Sequence, residues 1–169
     1  VAIAKTAFTS KAKKTEPRFV NKSEAETFER EIRRRVSERA YRLFEESGYP
    51  DGEAEKHWLQ AESEILHRGI EVREAGSWVT LNTTIPDASA EDVDIYVDAT
   101  RVIVRARKNG RSDTTEPPSE RPAGDELFFA AGLKVEVDPN TATASLKDGK
   151  LSLMVKKQER GSKVPERSV

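Results

Sequence analysis

The chain has 169 residues, 36% of them apolar and 35% charged, with 29 basic and 30 acidic side chains. That length holds one ordinary domain or two small ones, and the near balance of charge excludes a dedicated polyanion binder, which needs a basic excess. The lack of cysteine excludes disulfides and thiolate chemistry, and no apolar run approaches the roughly 18 residues of a membrane span.

Residues 1–22 show no periodicity and cluster Lys11, Lys13 and Lys14, so they read as a disordered basic tail. Residues 1–27 carry net +3, and the rest of the chain is mildly acidic. The start of the chain lacks the apolar core of a signal peptide. Together with the absent cysteine this sets the expected location as cytoplasmic.

Ser23 and Glu26 have the spacing of a capping box. From there Phe28, Ile32, Val36, Ala40, Leu43 and Phe44 repeat every three to four residues, predicting one apolar helix face. Gly48 and Tyr49-Pro50-Asp51-Gly52 supply the stop and the turn. A second helix is expected from Glu53 to Arg68, with Ala54, Trp58, Ala61 and Ile65 on one face and Trp58 packed on Tyr41, Leu43 or Phe44. Residues 23–69 therefore read as a helical hairpin. The triplet Arg33-Arg34-Arg35, among Glu29, Glu31 and Glu38, reads as an exposed face with intrahelical ion pairs.

After Gly69 the pattern changes to period two. Ile70 and Val72 open it; Val79, Leu81, Thr83 and Ile85 share one face; Val93, Ile95 and Val97 alternate with Asp94, Tyr96 and Asp98. Val102 to Ala106 follows a short turn. The segment from Lys108 to Asp125, with Pro117, Pro118 and Pro122, is unsuited to a sheet interior because proline lacks the donor. Strand character resumes at Glu126 to Ala130. It ends in Leu146, Asp148-Gly149, then Leu151, Leu153 and Val155, the strongest hairpin signal in the chain. About seven short strands separated by turns predict an antiparallel, immunoglobulin-like sandwich over residues 70–157, with a flexible C-terminal tail from 158 to 169 and an α+β content overall.

Two resemblances carry further expectations. Arg39-Ala40-Tyr41, Leu43-Phe44-Glu45, Gly48-x-Pro50 and His57-Trp58-Leu59-Gln60-Ala61-Glu62 resemble a short bacterial helical domain family of unknown function over about residues 32–66. The strand-rich part resembles the small heat shock proteins, the α-crystallin domain family. The motif positions are Ile85-Pro86, Glu91-Asp92-Val93, Arg101 to Arg107, Val137-Asp138-Pro139, and Ala144 leading to Gly149-x-Leu151. Asp87 stands where that family has Gly, and Phe129 where many members have Arg. Val164-Pro165 supplies half of the C-terminal anchor that joins dimers, and Lys108 to Asp125 shows no clear apolar strand for exchange between subunits.

The second resemblance implies a non-enzymatic, ATP-independent holdase for unfolding proteins. Its family groove falls between Val93, Ile95 and Val97 on one strand and Ala144 and Leu146 on another. The plain reading of those five is that alternating apolar residues face the core. It also implies self-association to a dimer or larger, for which Phe28, Ile32, Tyr41, Phe44 and Trp58 form a candidate apolar surface. The alternative is an interaction adaptor that uses the sandwich as a docking module.

No cofactor, metal, nucleic-acid or membrane partner is expected. His57 and His67, the only histidines, sit ten residues apart on the predicted second helix, roughly 15 Å along its axis and too far to share a metal. His57 reads as polar surface, and the acidic residues at 91, 92, 94 and 98 as a solvated strand face.

Overall fold

The computed structural model describes residues 16–107 and 126–159. Elements follow in the order β1 (Arg18–Phe19), α1 (Lys22–Glu46), α2 (Ala54–Ile65), β2 (Leu66–His67), β3 (Glu71–Ala75), β4 (Trp78–Thr84), β5 (Val93–Val97), β6 (Arg101–Arg107), β7 (Glu126–Gly132), β8 (Thr143–Lys147) and β9 (Lys150–Lys156). The expectations placed on residues 1–15, on Lys108 to Asp125 and on the Val164-Pro165 anchor lie outside the described residues.

Two sheets face each other. One has the order β1-β5-β6-β7-β2, the other β3-β4-β9-β8. The strands β3 to β9 pair antiparallel throughout, and β1 and β2 join parallel at the two ends of the first sheet. This is the immunoglobulin-like sandwich the alternation predicts. In β4 the side chains of Val79, Leu81 and Thr83 turn inward, and Ile85 is fully buried just beyond. Across the layer they meet Val93, Ile95, Val102, Val104, Leu151, Leu153 and Val155.

The β8–β9 hairpin is tight because Asp148 and Gly149 both take positive φ, 50° and 74°, the signature of the turn that suits strand twist. Gly149 also receives Ile85: its carbonyl accepts the Ile85 N–H at 2.7 Å. A Cβ there would lie 3.2 Å from the Ile85 oxygen. Asp87 sits at φ 60°, so the position where the family resemblance expects Gly does need left-handed backbone, which Asp tolerates better than most residues.

The helical hairpin forms, with three corrections. The capping box belongs to Asn21 and Glu24 rather than Ser23 and Glu26. The Glu24 N–H donates to Asn21 Oδ1 at 3.0 Å, and the Asn21 N–H to Glu24 Oε2 at 3.2 Å. The start moves two residues earlier because the Val20 N–H donates to the Ile95 carbonyl, which ends the strand and turns the chain at Asn21. Residues 16–22 are thus ordered, where the sequence reading placed a disordered tail.

Second, α2 ends at Ile65, because Leu66 and His67 peel off to pair with Phe128 and Phe129 of β7. Third, the contact with α1 is made by His57 and Ala61, not by Trp58. His57 is 5% exposed, its Nε2 3.1 Å from Ser47 Oγ and its ring edge-on to Phe44. Trp58 remains 39% exposed. Fully buried Ala61 lets the helices approach, and an indole wedged between them would hold them apart.

Candidate functional site

The strands β5 and β8 lie at one side of the sandwich, each the last antiparallel member of its sheet. Val93, Ile95 and Val97 are all buried and turn into the inter-sheet core with Leu146, while Ala144 packs against that core partly buried. The five residues are thus brought together along one seam. What differs between its two walls is the backbone edge.

The edge of β5 is occupied by the chain itself. Arg18 and Phe19 lie parallel to Asp94 and Ile95, and Pro17 and Val20 bury their side chains on either side of them. The other wall, β8, is bonded to β9 on one side, and among the described residues nothing pairs with its second edge. Lys147 and Lys150 flank a two-residue turn as a mutually bonded pair, so the N–H groups of Ala144 and Leu146 point outward. Of the two open edges in that sheet, β3 carries Glu71, Arg73 and Glu74, charges of the kind that discourage strand addition. On β8 the run Thr143, Ala144, Ser145 is uncharged.

Sequence reasoning missed the charged cluster behind β5. Asp94 was assigned to a solvated face; it is 3% exposed. Arg18 Nε donates to its Oδ1 at 2.9 Å, Arg105 Nε to its Oδ2 at 3.1 Å, and Arg107 Nη2 to Oδ2 at 3.3 Å. Burial pushes the Asp94 carboxyl up, but the hydrogen bonds from Arg18 and Arg105, with their charge, outweigh it and hold the group below its ordinary value. Counting back from the Val97–Val102 pair across the β5–β6 turn puts Asp94 directly opposite Arg105. That cross-strand opposite-charge pair was a readable signal.

The cluster is buried because α1 covers the outer face of the β5-β6-β7 sheet. Val20, Ala25 and Phe28 pack there on Tyr96, Ile103 and Phe128, so β5 is buried on both faces. The Arg105 guanidinium lies 4.2 Å over the Phe28 ring and Arg35 lies 5.1 Å over Phe128. Arg35 also reaches Glu126 of β7 at 3.0 Å, so it binds α1 to the sheet in addition to its intrahelical partner Glu31. Arg34 holds to the expected ion pairing, with Glu31 and Glu38. Bonds from Arg34 and then Arg35 carry the Glu31 carboxyl down to about 2 against a modest burial effect.

The five residues of the candidate N-terminal surface divide. Phe28 is buried under α1 and Ile32 half-buried between the sheet and α2, whereas Tyr41 and Trp58 are exposed and Phe44 is half-buried. Of the motif positions, Gly149 and Leu151 build the last hairpin and its core face, Pro86 precedes the left-handed Asp87, and Asp92 accepts the Ser89 hydroxyl at 2.5 Å. Among the described residues no helix is long and apolar enough to cross a membrane, and no group of three or more His, Asp or Glu side chains is gathered as a metal ion would require.

An immunoglobulin-like sandwich that offers a backbone edge beside an apolar seam belongs to the α-crystallin type of β-sandwich. Residues 71–169, more than half of the chain, match the Hsp20/alpha crystallin family, and the chain belongs to that chaperone-type family. Residues 29–67 match a second family, described as a protein of unknown function, DUF2934.

Similar solved structures include heat shock protein 16.0 from Schizosaccharomyces pombe (17% identity, covering 59% of this chain and 94% of that one, TM-score 0.43). A small heat-shock protein from Xylella fastidiosa is 20% identical, with 59% and 92% coverage and a TM-score of 0.42. The rat alpha crystallin domain is 21% identical, with 56% and 95% coverage and a TM-score of 0.34. The comparison with curated proteins finds no match.

Proposed function

We propose that this chain is a non-enzymatic, ATP-independent holdase that binds unfolding proteins and prevents their aggregation, with the β5–β8 seam as its client groove. The observation that carries the reading is the open, uncharged edge of β8 beside Ala144 and Leu146. Partly folded clients expose extended apolar segments, and such a segment gains main-chain hydrogen bonds by adding to a free edge while its side chains settle on the seam. Nothing in that process consumes a nucleotide.

The test is light scattering of a heat-denatured model client mixed with near-stoichiometric chain and no ATP. Suppressed scattering is expected for the wild type. Ala144→Pro removes one outward N–H without touching a β8–β9 bond, so its protection should fall while its circular dichroism spectrum holds. Equal protection by wild type and variant would exclude the β8 edge. A second reading, an adaptor for one fixed partner, is favoured by the β1 segment already lying on β5. Absence of any protection by a monomeric wild type would select it.

A further inference from the structure

The helical hairpin has a face that the sandwich does not use. Along α1, Phe28 and Arg35 point to the sheet and Val36 and Leu43 to α2. At 100° per residue, Tyr41 and Phe44 come round to the side opposite the sheet. Because α2 runs back antiparallel, Trp58, one position after the inward His57, emerges on that same side. Tyr49 in the connecting turn closes the patch, its ring edge-on to Phe44 at 5.1 Å. Tyr41 is 59% exposed, Tyr49 58% and Trp58 39%. Aromatic rings gathered at a surface in this way mark an interaction site.

The charges around the patch are arranged in two ends. Arg33, exposed and without an ion-pair partner among the described residues, lies two turns before Tyr41, about 12 Å along the axis. Glu55, likewise exposed and unpaired among the described residues, lies at the other end, because the neighbouring His57 is level with Ser47. A two-fold axis through the Tyr41–Trp58 level therefore sets the basic end of one hairpin against the acidic end of another. Meanwhile the β5-β6-β7 sheet has β1 on one edge and β2 on the other, so it offers a second copy no open strand among the described residues.

We propose that this outer face of the hairpin binds a second copy of the chain, two hairpins packing antiparallel around Tyr41, Phe44 and Trp58. A fixed pair of opposite charges at a fixed separation selects a folded copy, whereas an unfolding client has no such pattern to match. The proposal does not rest on the holdase reading.

Sedimentation of the full chain over a concentration series tests it. The wild type should show a monomer–dimer step, alone or beneath larger assemblies. Tyr41→Ser with Trp58→Ser should weaken that step roughly tenfold or more, as loss of central aromatic anchors does. Arg33→Glu should weaken it too, and adding Glu55→Arg should restore it; these two exposed substitutions keep the test valid if the aromatic variant unfolds. A wild type that stays monomeric at its highest soluble concentration overturns the proposal. So does an association step that the serine variant leaves unchanged, or a charge reversal that its partner fails to rescue. If the serine variant loses client protection while associating normally, the face belongs to clients, and the proposal falls while the holdase reading stands.

Discussion

Replacing Asp94 by Asn keeps the shape of the side chain and removes only its charge, so the variant isolates what the carboxylate contributes. Breaking one partner of a buried ion pair costs about 3–5 kcal/mol, and an exposed pair is worth about 0–1 kcal/mol. Here the partners span that range: the Arg105 side chain is 18% exposed, Arg107 33% and Arg18 56%. Arg105 keeps the Phe28 ring and a Glu126 oxygen at 3.9 Å, which softens its loss.

The cost of D94N is then about 2–3 kcal/mol, nearly all of it through Arg105. With a urea slope of about 1–3 kcal/mol/M, the unfolding midpoint should drop by about 1 M. The pH dependence gives an independent check. A carboxyl held below its unfolded value of about 3.9 contributes stability that is complete above that pH and lost as pH falls through the lower, folded value. Between neutral pH and about pH 4 the wild type should therefore keep this contribution, and below about pH 4 the gap between wild type and D94N should close. Equal midpoints at pH 7, or a gap that persists in strong acid, would refute the assignment of the cluster as a stabilising one.

Two further substitutions test backbone geometry. Gly149→Ala forces a Cβ to 3.2 Å from the Ile85 oxygen at φ 74° and should cost about 1–3 kcal/mol, read as a lower melting temperature. Asp87→Gly relieves a left-handed non-glycine at φ 60° and should raise stability by up to about 1 kcal/mol, read in the same melts.

The second half of the chain was legible because its strands face core on one side and turn with standard chemistry. Leu151, Leu153 and Val155 read inward by period alone, and the Asp148-Gly149 pair fixed their register with Leu146. The helical stripe of α1 was equally plain. What period could not supply was which of two adjacent residues on α2 faces its partner. Trp58 and His57 differ by a rotation of 100°, and the choice turns on helix separation, which Ala61 sets. The cap was ambiguous in kind, since Asn21 with Glu24 and Ser23 with Glu26 have the same spacing. Two-residue strands leave no period at all. Arg18–Phe19 and Leu66–His67 are defined wholly by the distant edges they join, at β5 and β7. The burial of Asp94 depends on α1 lying over it, a fact external to its own strand.

These unread features share one cause. β1 runs directly into α1, and α2 directly into β2, so the helical hairpin is bracketed by the two segments that close the first sheet. Docking of α1 on Tyr96, Ile103 and Phe128 places both brackets at once, and Arg18 and Arg35 fasten it at Asp94 and Glu126. Interactions held by one rigid element are not independent. Arg18→Ala alone removes only a half-exposed pair, whereas loss of Asp94 loosens the strand, the helix and Arg105 together. That asymmetry is what a double-mutant cycle between positions 18 and 94 measures. A coupling near zero would mean that β1 sits on β5 by its backbone and by Val20, and that the sheet edge is closed without the charge.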